Sequence, residues 1–170
     1  MNVVVMPISE AHALGFRECL DSVARERQFL ALYEAPPPAL VLAFVKENIA
    51  SDNAQFVALD GDRVVGWADI VRGWAPAIAH TGTLGMGVLR EYRGRGIGQS
   101  LLRACVAKAR AKEITRVELA ARSDNARAIR LYERLGFVRG ETREVTDPAS
   151  GAHLAFLHMT TERARWPVRS

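Results

Sequence analysis

A turn with glycine at alternate positions joins a β-rich run that ends at Val88 to a helical pattern that begins at Ile97. The glycines of this turn are Gly94, Gly96 and Gly98. A strand that leads into a helix gathers backbone N–H groups at the helix N-terminus, where they can bind an anion. Glycine removes the side chains that would keep a diphosphate away, and Arg93 and Arg95 add positive charge. The segment therefore predicts a strand–turn–helix unit that binds phosphate groups.

Two familiar phosphate-binding loops do not match this turn. A Walker loop ends in Gly-Lys-Ser/Thr, whereas Gly98 is followed here by Gln99. A dinucleotide fingerprint has glycine at its first, third and sixth positions. The sixth position is Gln99 when the motif starts at Gly94, and Arg90 when it starts at Gly85. Both loop types are excluded.

Hydrophobic periodicity predicts the order β-α-α-β-β-β-α-β-α-β-β along the chain. The predicted strands are 2–6, 55–59, 63–71, 80–88, 116–121, 137–145 and 152–159. The predicted helices are one that follows Ser9 and ends near Arg25, one marked by Leu42, Val45 and Ile49, and those at 97–112 and 125–135. Asp60-Gly61-Asp62 favours a hairpin between the second and third strands, because Asp-Gly tolerates positive φ. This order predicts one mixed α/β domain over residues 1–170, with helices on both faces of its sheet.

The composition narrows the class of protein. Charged residues make up 25% of the chain and no segment repeats, which argues against disorder and against a solenoid. The longest apolar stretches, such as 39–45, are shorter than the roughly 20 residues that cross a bilayer, and no signal peptide is recognisable, so we expect a cytoplasmic protein that does not bind membranes. The net charge of +4 suits an anionic ligand, whereas no basic run or zinc-finger spacing indicates nucleic acid. Cys19 and Cys105 are predicted to be buried free thiols, and the four histidines have no metal-ligand spacing, so no metal is expected.

A second segment, 123–137, follows the glycine-rich turn by about thirty residues. Its pattern is Asn-x-x-Ala-x-x-x-Tyr-x-x-x-Gly-Phe, with Asn125 and Tyr132 as its polar members. Local structure explains much of it, since Ser123 or Asp124 can cap a helix and Gly136 can end one. Local structure gives no reason for Asn125 or Tyr132.

Together with the Arg-x-x-Gly-x-Gly pattern of Arg93 to Gly98, this segment resembles the two signatures of the GNAT superfamily of N-acetyltransferases. The resemblance covers roughly residues 55–159, with the cofactor signatures within about 80–137. It implies a central mixed, mostly antiparallel sheet, and acetyl-coenzyme A as co-substrate. Arg27 to Leu30 and the closing hairpin 147–159 resemble bacterial enzymes that act on amino acids or similar small amines.

The resemblance also implies roles for individual residues. Tyr132 would act as general acid for the departing thiolate, and Asn125 would hold the pantetheine arm. The other residues implied in cofactor binding are Met86, Gly87, Val88, Arg93, Gly94, Arg95, Gly96, Ile97, Gly98 and Gln99. The acceptor amine would attack the thioester directly, without a covalent enzyme intermediate.

The acceptor end of the site is less defined by the sequence. Phe29, Glu34 and Trp74 suit a small amine with an apolar part, and Arg25 or Arg27 could meet a carboxylate. The candidates for the general base are Glu34, Glu118 and His80, with a water chain as a further alternative. The expected partner is a small-molecule amine. A protein N-terminus or ribosomal protein as acceptor and a non-catalytic coenzyme A sensor remain alternatives, and the oligomeric state stays open, a homodimer included.

Overall fold

The computed structural model describes residues 1–162. The strands are β1 (Val3–Pro7), β2 (Ala54–Asp60), β3 (Arg63–Arg72), β4 (Thr81–Val88), β5 (Arg116–Arg122), β6 (Val138–Thr146) and β7 (His153–Glu162). The helices are α1 (Ala13–Arg25), α2 (Pro38–Ala50), α3 (Ile97–Ala111) and α4 (Ala126–Arg134), with short 3₁₀ turns before α1, β4 and α3. The predicted order of elements is confirmed, and their bounds differ from the predicted ones by a few residues.

The strands form one seven-stranded sheet in the order β1-β2-β3-β4-β5-β7-β6. Every neighbouring pair is antiparallel except β4 and β5, which are parallel. The hairpin predicted from Asp60-Gly61-Asp62 joins β2 to β3, and Gly61 has a φ of 59°. The mixed, mostly antiparallel sheet with flanking helices is therefore confirmed.

The two faces of the sheet are covered by different helices. On one face, here called the α1 face, the Trp67 ring of β3 meets Phe16 of α1 edge to face with 5.7 Å between ring centroids. On the other, here called the α3 face, a Cβ added at Gly98 would touch Met86 of β4 and Leu131 of α4. Since side chains alternate along a strand, odd-numbered residues of β4 face α1 and even-numbered residues face α3 and α4.

The core lies on both faces, and it contains the two cysteines. Cys19 and Cys105 are free and buried, as predicted. The Cys105 Sγ lies 3.2 Å from the Ala68 carbonyl oxygen. Burial raises the pKa of Cys19 to about 12, so both thiols behave as small apolar groups.

β4 and β5 separate after a short stretch of pairing. Their ladder comprises only Thr81, Gly82 and Thr83 of β4, opposite 116–118 of β5. β4 continues to Val88, and β5 to Arg122, without a strand between them. The sheet therefore contains a wedge-shaped gap that opens toward the glycine-rich turn, and residues 84–88 have no strand partner on the β5 side.

One capping prediction is wrong. Ser123 and Asp124 do not cap α4; Asn125 does, because its Oδ1 accepts a hydrogen bond from the Ala128 N–H at 3.2 Å. The two preceding residues belong to the turn between β5 and α4, where the Asn125 N–H donates to the Arg122 carbonyl. None of the helices within residues 1–162 is long and apolar enough to span a membrane.

Candidate functional site

A cleft of about 330 Å³ opens at the wide end of the gap between β4 and β5. Residues from β4, the glycine-rich turn, α4 and the loop after α1 line it. They are Val23, Phe29, Met86, Gly87, Val88, Tyr92, Arg93, Gly94, Gly96, Ile97, Gly98, Gln99, Asn125, Arg127, Ala128, Leu131, Tyr132 and Arg134. The structure thus brings together the two sequence signatures, which are thirty residues apart along the chain.

The glycine-rich turn exposes the N-terminus of α3 to this cleft. Gly94 and Gly96 have φ angles of 76° and 80°, which side-chain-bearing residues rarely adopt. A Cβ added at Gly96 would meet nothing within 4 Å. The first hydrogen bond inside α3 runs from the Ser100 N–H to the Gly96 carbonyl, so the N–H groups of Ile97, Gly98 and Gln99 precede the helical ladder. Three unobstructed donors at a helix N-terminus form an anion site.

Arg93 does not direct its charge to this anion site. Its guanidinium contacts Glu26 through two nitrogens, at 3.0 and 2.5 Å, and its Nε donates to the Val88 carbonyl at 2.8 Å. The hydrogen bond from Arg93 holds the pKa of Glu26 below its ordinary value. The expectation that the Arg93 side chain adds positive charge for a diphosphate therefore does not fit its geometry. Its role in cofactor binding stays a prediction that rests on the backbone.

Two arginines that sequence reasoning missed lie in the cleft wall instead. Arg127 and Arg134 both belong to α4, and the Arg127 Nη1 would be 4.0 Å from a Cβ at Gly94. Arg127, Leu131 and Arg134 are spaced i, i+4, i+7, which places them on one helix face, and this spacing could have revealed them. Arg95 lies outside the lining, with its guanidinium 3.1 Å from the Met1 sulfur.

Tyr132 presents a buried phenol to the cleft. Its ring packs against Phe137 at 5.8 Å between centroids, and only 8% of the residue is exposed. Burial raises the pKa of Tyr132 to about 12. The hydroxyl therefore keeps its proton across the physiological range and can donate it.

β4 offers the cleft an unpaired backbone edge. In a strand, successive N–H and C=O groups point to alternate sides, so part of the polar backbone of 84–88 faces the gap. Gly87 belongs to this edge, and a Cβ there would lie 2.3 Å from the Trp67 ring. Glycine at this position lets the indole fill the α1 face behind the strand. The backbone edge can pair with an extended amide-bearing ligand.

The three predicted acceptor residues are not all placed together. Phe29 lines the cleft, and the Arg93 guanidinium stacks over its ring at 4.7 Å. Glu34 lies outside the lining and its carboxylate is 3.3 Å from Arg25. Trp74 lies in the connection that precedes β4, at the opposite end of that strand from Val88, and is 93% exposed. The structure does not bring Trp74 to the cleft.

Loop 26–37, here called the strap, bridges the wide end of the gap. On the β4 side it is held by Glu26 and Phe29 against Arg93. On the far side, the proximity of the Asp147 carboxylate in the β6–β7 turn raises the pKa of Tyr33. The Ser150 hydroxyl donates to Asp147 at 2.5 Å, and this bond together with Tyr33 lowers the pKa of Asp147 to about 2. The strap therefore runs over the α1 face of the gap from Arg93 to the neighbourhood of the β6–β7 turn.

The predicted base candidates differ in their positions. Glu118 of β5 pairs with Thr83 at the narrow end of the gap and is exposed. His80 precedes β4, where its carbonyl accepts the Thr115 N–H. Neither of them lines the cleft. Asp69, a carboxylate that sequence reasoning missed, also lies outside the lining, but it is buried on the α1 face beside β4. Its position as the one acidic residue in the apolar run 64–71 could have revealed it.

Comparison with known proteins gives a consistent picture. A model of the acetyltransferase (GNAT) family matches residues 20–137. The N-alpha-acetyltransferase RimI of Mycobacterium tuberculosis is 38% identical over 120 residues, which cover 68% of this chain and 70% of that protein. An uncharacterized protein of Mycobacterium leprae is 37% identical over 131 residues, 75% of this chain, and the match spans only 34% of that longer protein.

Among solved structures, a GNAT superfamily phosphinothricin acetyltransferase of Sinorhizobium meliloti, in complex with AcCoA, superposes with a TM-score of 0.85. It shares 19% sequence identity and the match covers 100% of this chain and 95% of that one. At this identity the likeness concerns the fold.

Proposed function

This chain belongs to the acetyltransferase (GNAT) family, and from that premise we propose that it transfers the acetyl group of acetyl-coenzyme A to the primary amine of a small acceptor, such as an amino acid. The observation that carries the proposal is the gap between β4 and β5. It opens at one end on the α3 N-terminus and runs past Tyr132 to the unpaired edge of β4. A cleft of this shape suits a long ligand with an anionic end and an amide-bearing arm.

The residues present suit acetyl-coenzyme A. The N–H groups of 97–99 would receive the diphosphate, with Arg127 beside them. The edge of β4 at 86–88 would pair with the amides of the pantetheine arm. Asn125 has its Oδ1 engaged as the cap of α4, so its Nδ2 is the part of the side chain that can donate to the arm. When bound, acetyl-coenzyme A supplies the thioester that is attacked.

The chemistry follows from the groups along the cleft. The acceptor amine attacks the thioester carbonyl, and an N–H of the β4 edge stabilises the developing oxyanion. Tyr132 donates its proton to the departing thiolate, since its raised pKa keeps the phenol protonated until that moment. The phenolate then recovers a proton from the nitrogen of the new amide. No nucleophilic side chain of the protein is needed.

The strap supports a small acceptor. Because its Glu26 is bonded to Arg93 and its Tyr33 lies near Asp147, it limits the room above the α1 face of the gap. It is also tied to α1, since the Ala35 N–H donates to Asp21 and the Pro36 carbonyl accepts from Arg17, both at 2.8 Å. An acceptor that approaches the thioester from this face has to pass beneath the strap.

A second candidate acceptor is the N-terminal amine of a protein. The observation in its favour is the identity of 38% with an enzyme named N-alpha-acetyltransferase RimI. A chain terminus is extended and free at one end, so it can present its amine to the thioester end-on.

Release of free thiol from acetyl-coenzyme A tests these proposals. The panel consists of amino acids, polyamines, aminoglycosides and a short peptide with a free N-terminus. Release with a small amine at a higher kcat/KM than with the peptide supports the first proposal, and the reverse order supports the second. Binding of acetyl-coenzyme A without thiol release on any acceptor would indicate a sensor and contradict both.

The cofactor itself is tested by thermal unfolding. A ligand at 100 times its Kd that binds only the native state adds about 2.7 kcal/mol to the free energy of unfolding. We expect coenzyme A and acetyl-coenzyme A to raise the Tm accordingly, and NADH and ATP to have much smaller effects. Equal shifts with all four ligands would contradict specificity for coenzyme A.

A further inference from the structure

Asp69 is a buried carboxylate without a partner among the described residues. It lies in the middle of β3 and only 8% of it is exposed. No hydrogen bond or ion pair within residues 1–162 involves its side chain, and burial is the cause that raises its pKa to about 7. Burying an unpaired carboxylate destabilises a fold, and natural proteins retain such groups mainly at functional sites. A group that reaches Asp69 from outside the chain would account for its presence.

The neighbouring strand leaves space beside this carboxylate. Asp69 pairs in register with Gly85 of β4, and both face α1, as Trp67 and Gly87 do. A Cβ at Gly85 would lie 3.3 Å from the Asp69 Oδ1. Because glycine has no side chain, nothing on β4 separates the carboxylate from the gap.

The residue on the β5 side of the gap is also small. The last paired positions of β4 and β5 are Thr83 and Glu118, so Gly85 and Ala120, two residues further on, face one another across the start of the gap. Ala120 is exposed and pairs with His158 of β7. The row Asp69, Gly85, Ala120, His158 therefore crosses the α1 face with the two smallest residues at its centre, beside the 330 Å³ cleft and outside its lining.

We propose that Asp69 accepts a proton from the ammonium form of the acceptor amine, which approaches it on the α1 face over Gly85 and Ala120. The proposal rests on the acetyl transfer proposed above. An N–H bond of the ammonium group breaks and leaves its electron pair on nitrogen, while an O–H bond forms on Asp69. The free amine attacks the thioester carbonyl, the C–S bond breaks, and Tyr132 protonates the thiolate as described. Asp69 then returns its proton to solvent past Gly85 and the exposed Ala120.

The surroundings of Asp69 suit this role. Its partner on β2, Gln55, has its Nε2 buried and without a partner within residues 1–162, while its Oε1 accepts a hydrogen bond from Asn48 of α2 at 2.9 Å. The Cys105 thiol lies on the other face of the sheet, and burial raises its pKa well above the ordinary value. Glu118 and His158 share the α1 face beyond the gap. The buried residues of α1 are Ala13, Phe16, Cys19, Leu20, Val23 and Ala24, none of which is charged. No described cation holds the carboxylate ionised, so it can gain and lose a proton near neutral pH.

The pH dependence of kcat/KM for Asp69→Asn tests the proposal, with the best acceptor of the panel. For the wild-type enzyme we expect kcat/KM to rise through an apparent pKa near 7, the value that burial gives Asp69. Asp69→Asn is isosteric, and in this variant the rise of kcat/KM through pH 7, here called the acidic limb, should disappear. Its rate at pH 8 should fall about 10²- to 10⁴-fold. Its affinity for coenzyme A, measured by calorimetry, should remain within about threefold.

Asp52→Asn is the matched control. Asp52 is exposed, pairs with Lys108 and Lys112 at 2.6 and 2.9 Å, and has its pKa lowered to about 2. This control should keep both the rate and the acidic limb. Asparagine also tolerates the positive φ of 52° at that position.

The outcomes separate the two proposals. Thiol release by the wild type together with an unchanged rate and limb in Asp69→Asn would overturn the role of Asp69 and leave acetyl transfer intact. A wild type that releases no thiol with any acceptor would overturn both. If Asp69→Asn does not fold, carboxyl ¹³C NMR of the wild type decides. An aspartate that titrates with the acidic limb supports the proposal, and a limb without such a carboxyl overturns it.

Discussion

Gly96→Glu and Gly61→Glu form a pair that isolates the anion site. The two glycines have similar φ angles, 80° and 59°, and a Cβ at either would meet nothing within 4 Å. Both variants therefore carry the same left-handed backbone penalty of roughly 1 kcal/mol, and both add the same charge. Gly96 caps α3 at the cleft, whereas Gly61 belongs to the β2–β3 hairpin outside it. The variants differ only in what the new carboxylate faces.

The expected loss of affinity follows from electrostatics. A carboxylate about 5 Å from a diphosphate with two negative charges is repelled by roughly 3 kcal/mol at an effective dielectric constant of about 40. A difference of that size corresponds to roughly 10²-fold in Kd. The new side chain also competes for the N–H groups of 97–99, which adds to the loss. Gly61→Glu should bind coenzyme A within about threefold of the wild type.

Calorimetric titration with coenzyme A at physiological ionic strength measures both affinities. Circular dichroism and thermal unfolding establish that each variant is folded. A folded Gly96→Glu that binds coenzyme A as tightly as Gly61→Glu does would refute the placement of the diphosphate at the N-terminus of α3. Equal losses in the two variants would mean that net charge, not position, governs binding.

Three further substitutions test other parts of the structure. Tyr132→Phe keeps the buried ring and removes only the hydroxyl. We expect kcat in steady-state thiol release to fall about 10²- to 10⁴-fold, while the Kd for acetyl-coenzyme A stays within about threefold. A near wild-type kcat would exclude the phenol as general acid. Gly87→Ala places a Cβ 2.3 Å from the Trp67 ring, so it should lower the free energy of unfolding, measured in urea, by about 1–3 kcal/mol. Unchanged stability would mean that the ring can move away without cost. Asp69 has its pKa raised from 3.8 to about 7, so its contribution to stability is complete below pH 4 and is lost as the pH rises through 7. The loss amounts to at most ~4 kcal/mol, and the Tm of Asp69→Asn should exceed that of the wild type increasingly over this range; a constant difference would contradict the shift.

The order of the elements could be predicted because its signals are local. The apolar spacing of α3, the Asp60-Gly61-Asp62 turn and the glycines before α3 each act within a few residues. The separation of β4 and β5 has no such signal. It depends on how β7 pairs with β5 and on how far the parallel ladder extends, and these are contacts between distant segments.

Side-chain roles that depend on distant partners were the least predictable. Arg93 belongs to a phosphate-loop pattern, yet its charge is bound by Glu26, 67 residues earlier. Trp74 is aromatic and was expected at the acceptor pocket, but the strand order places it at the other end of β4. Asp69 was visible in the sequence as an acid in an apolar strand. Its significance requires the register that places Gly85 beside it.

The capping role of Asn125 leaves part of its side chain for the role proposed above in binding the pantetheine arm. Its Oδ1 accepts the Ala128 N–H and so begins α4, the helix that carries Tyr132. An aspartate would cap the helix equally well, so capping alone does not select asparagine. What asparagine adds is an Nδ2 donor, and it stands in the cleft wall next to the gap. The same residue fixes the start of the helix that positions the Tyr132 phenol and has an Nδ2 donor in the cleft wall. If acetyl-coenzyme A binds as proposed above, this arrangement would couple the placement of the proposed acid to that of the pantetheine arm.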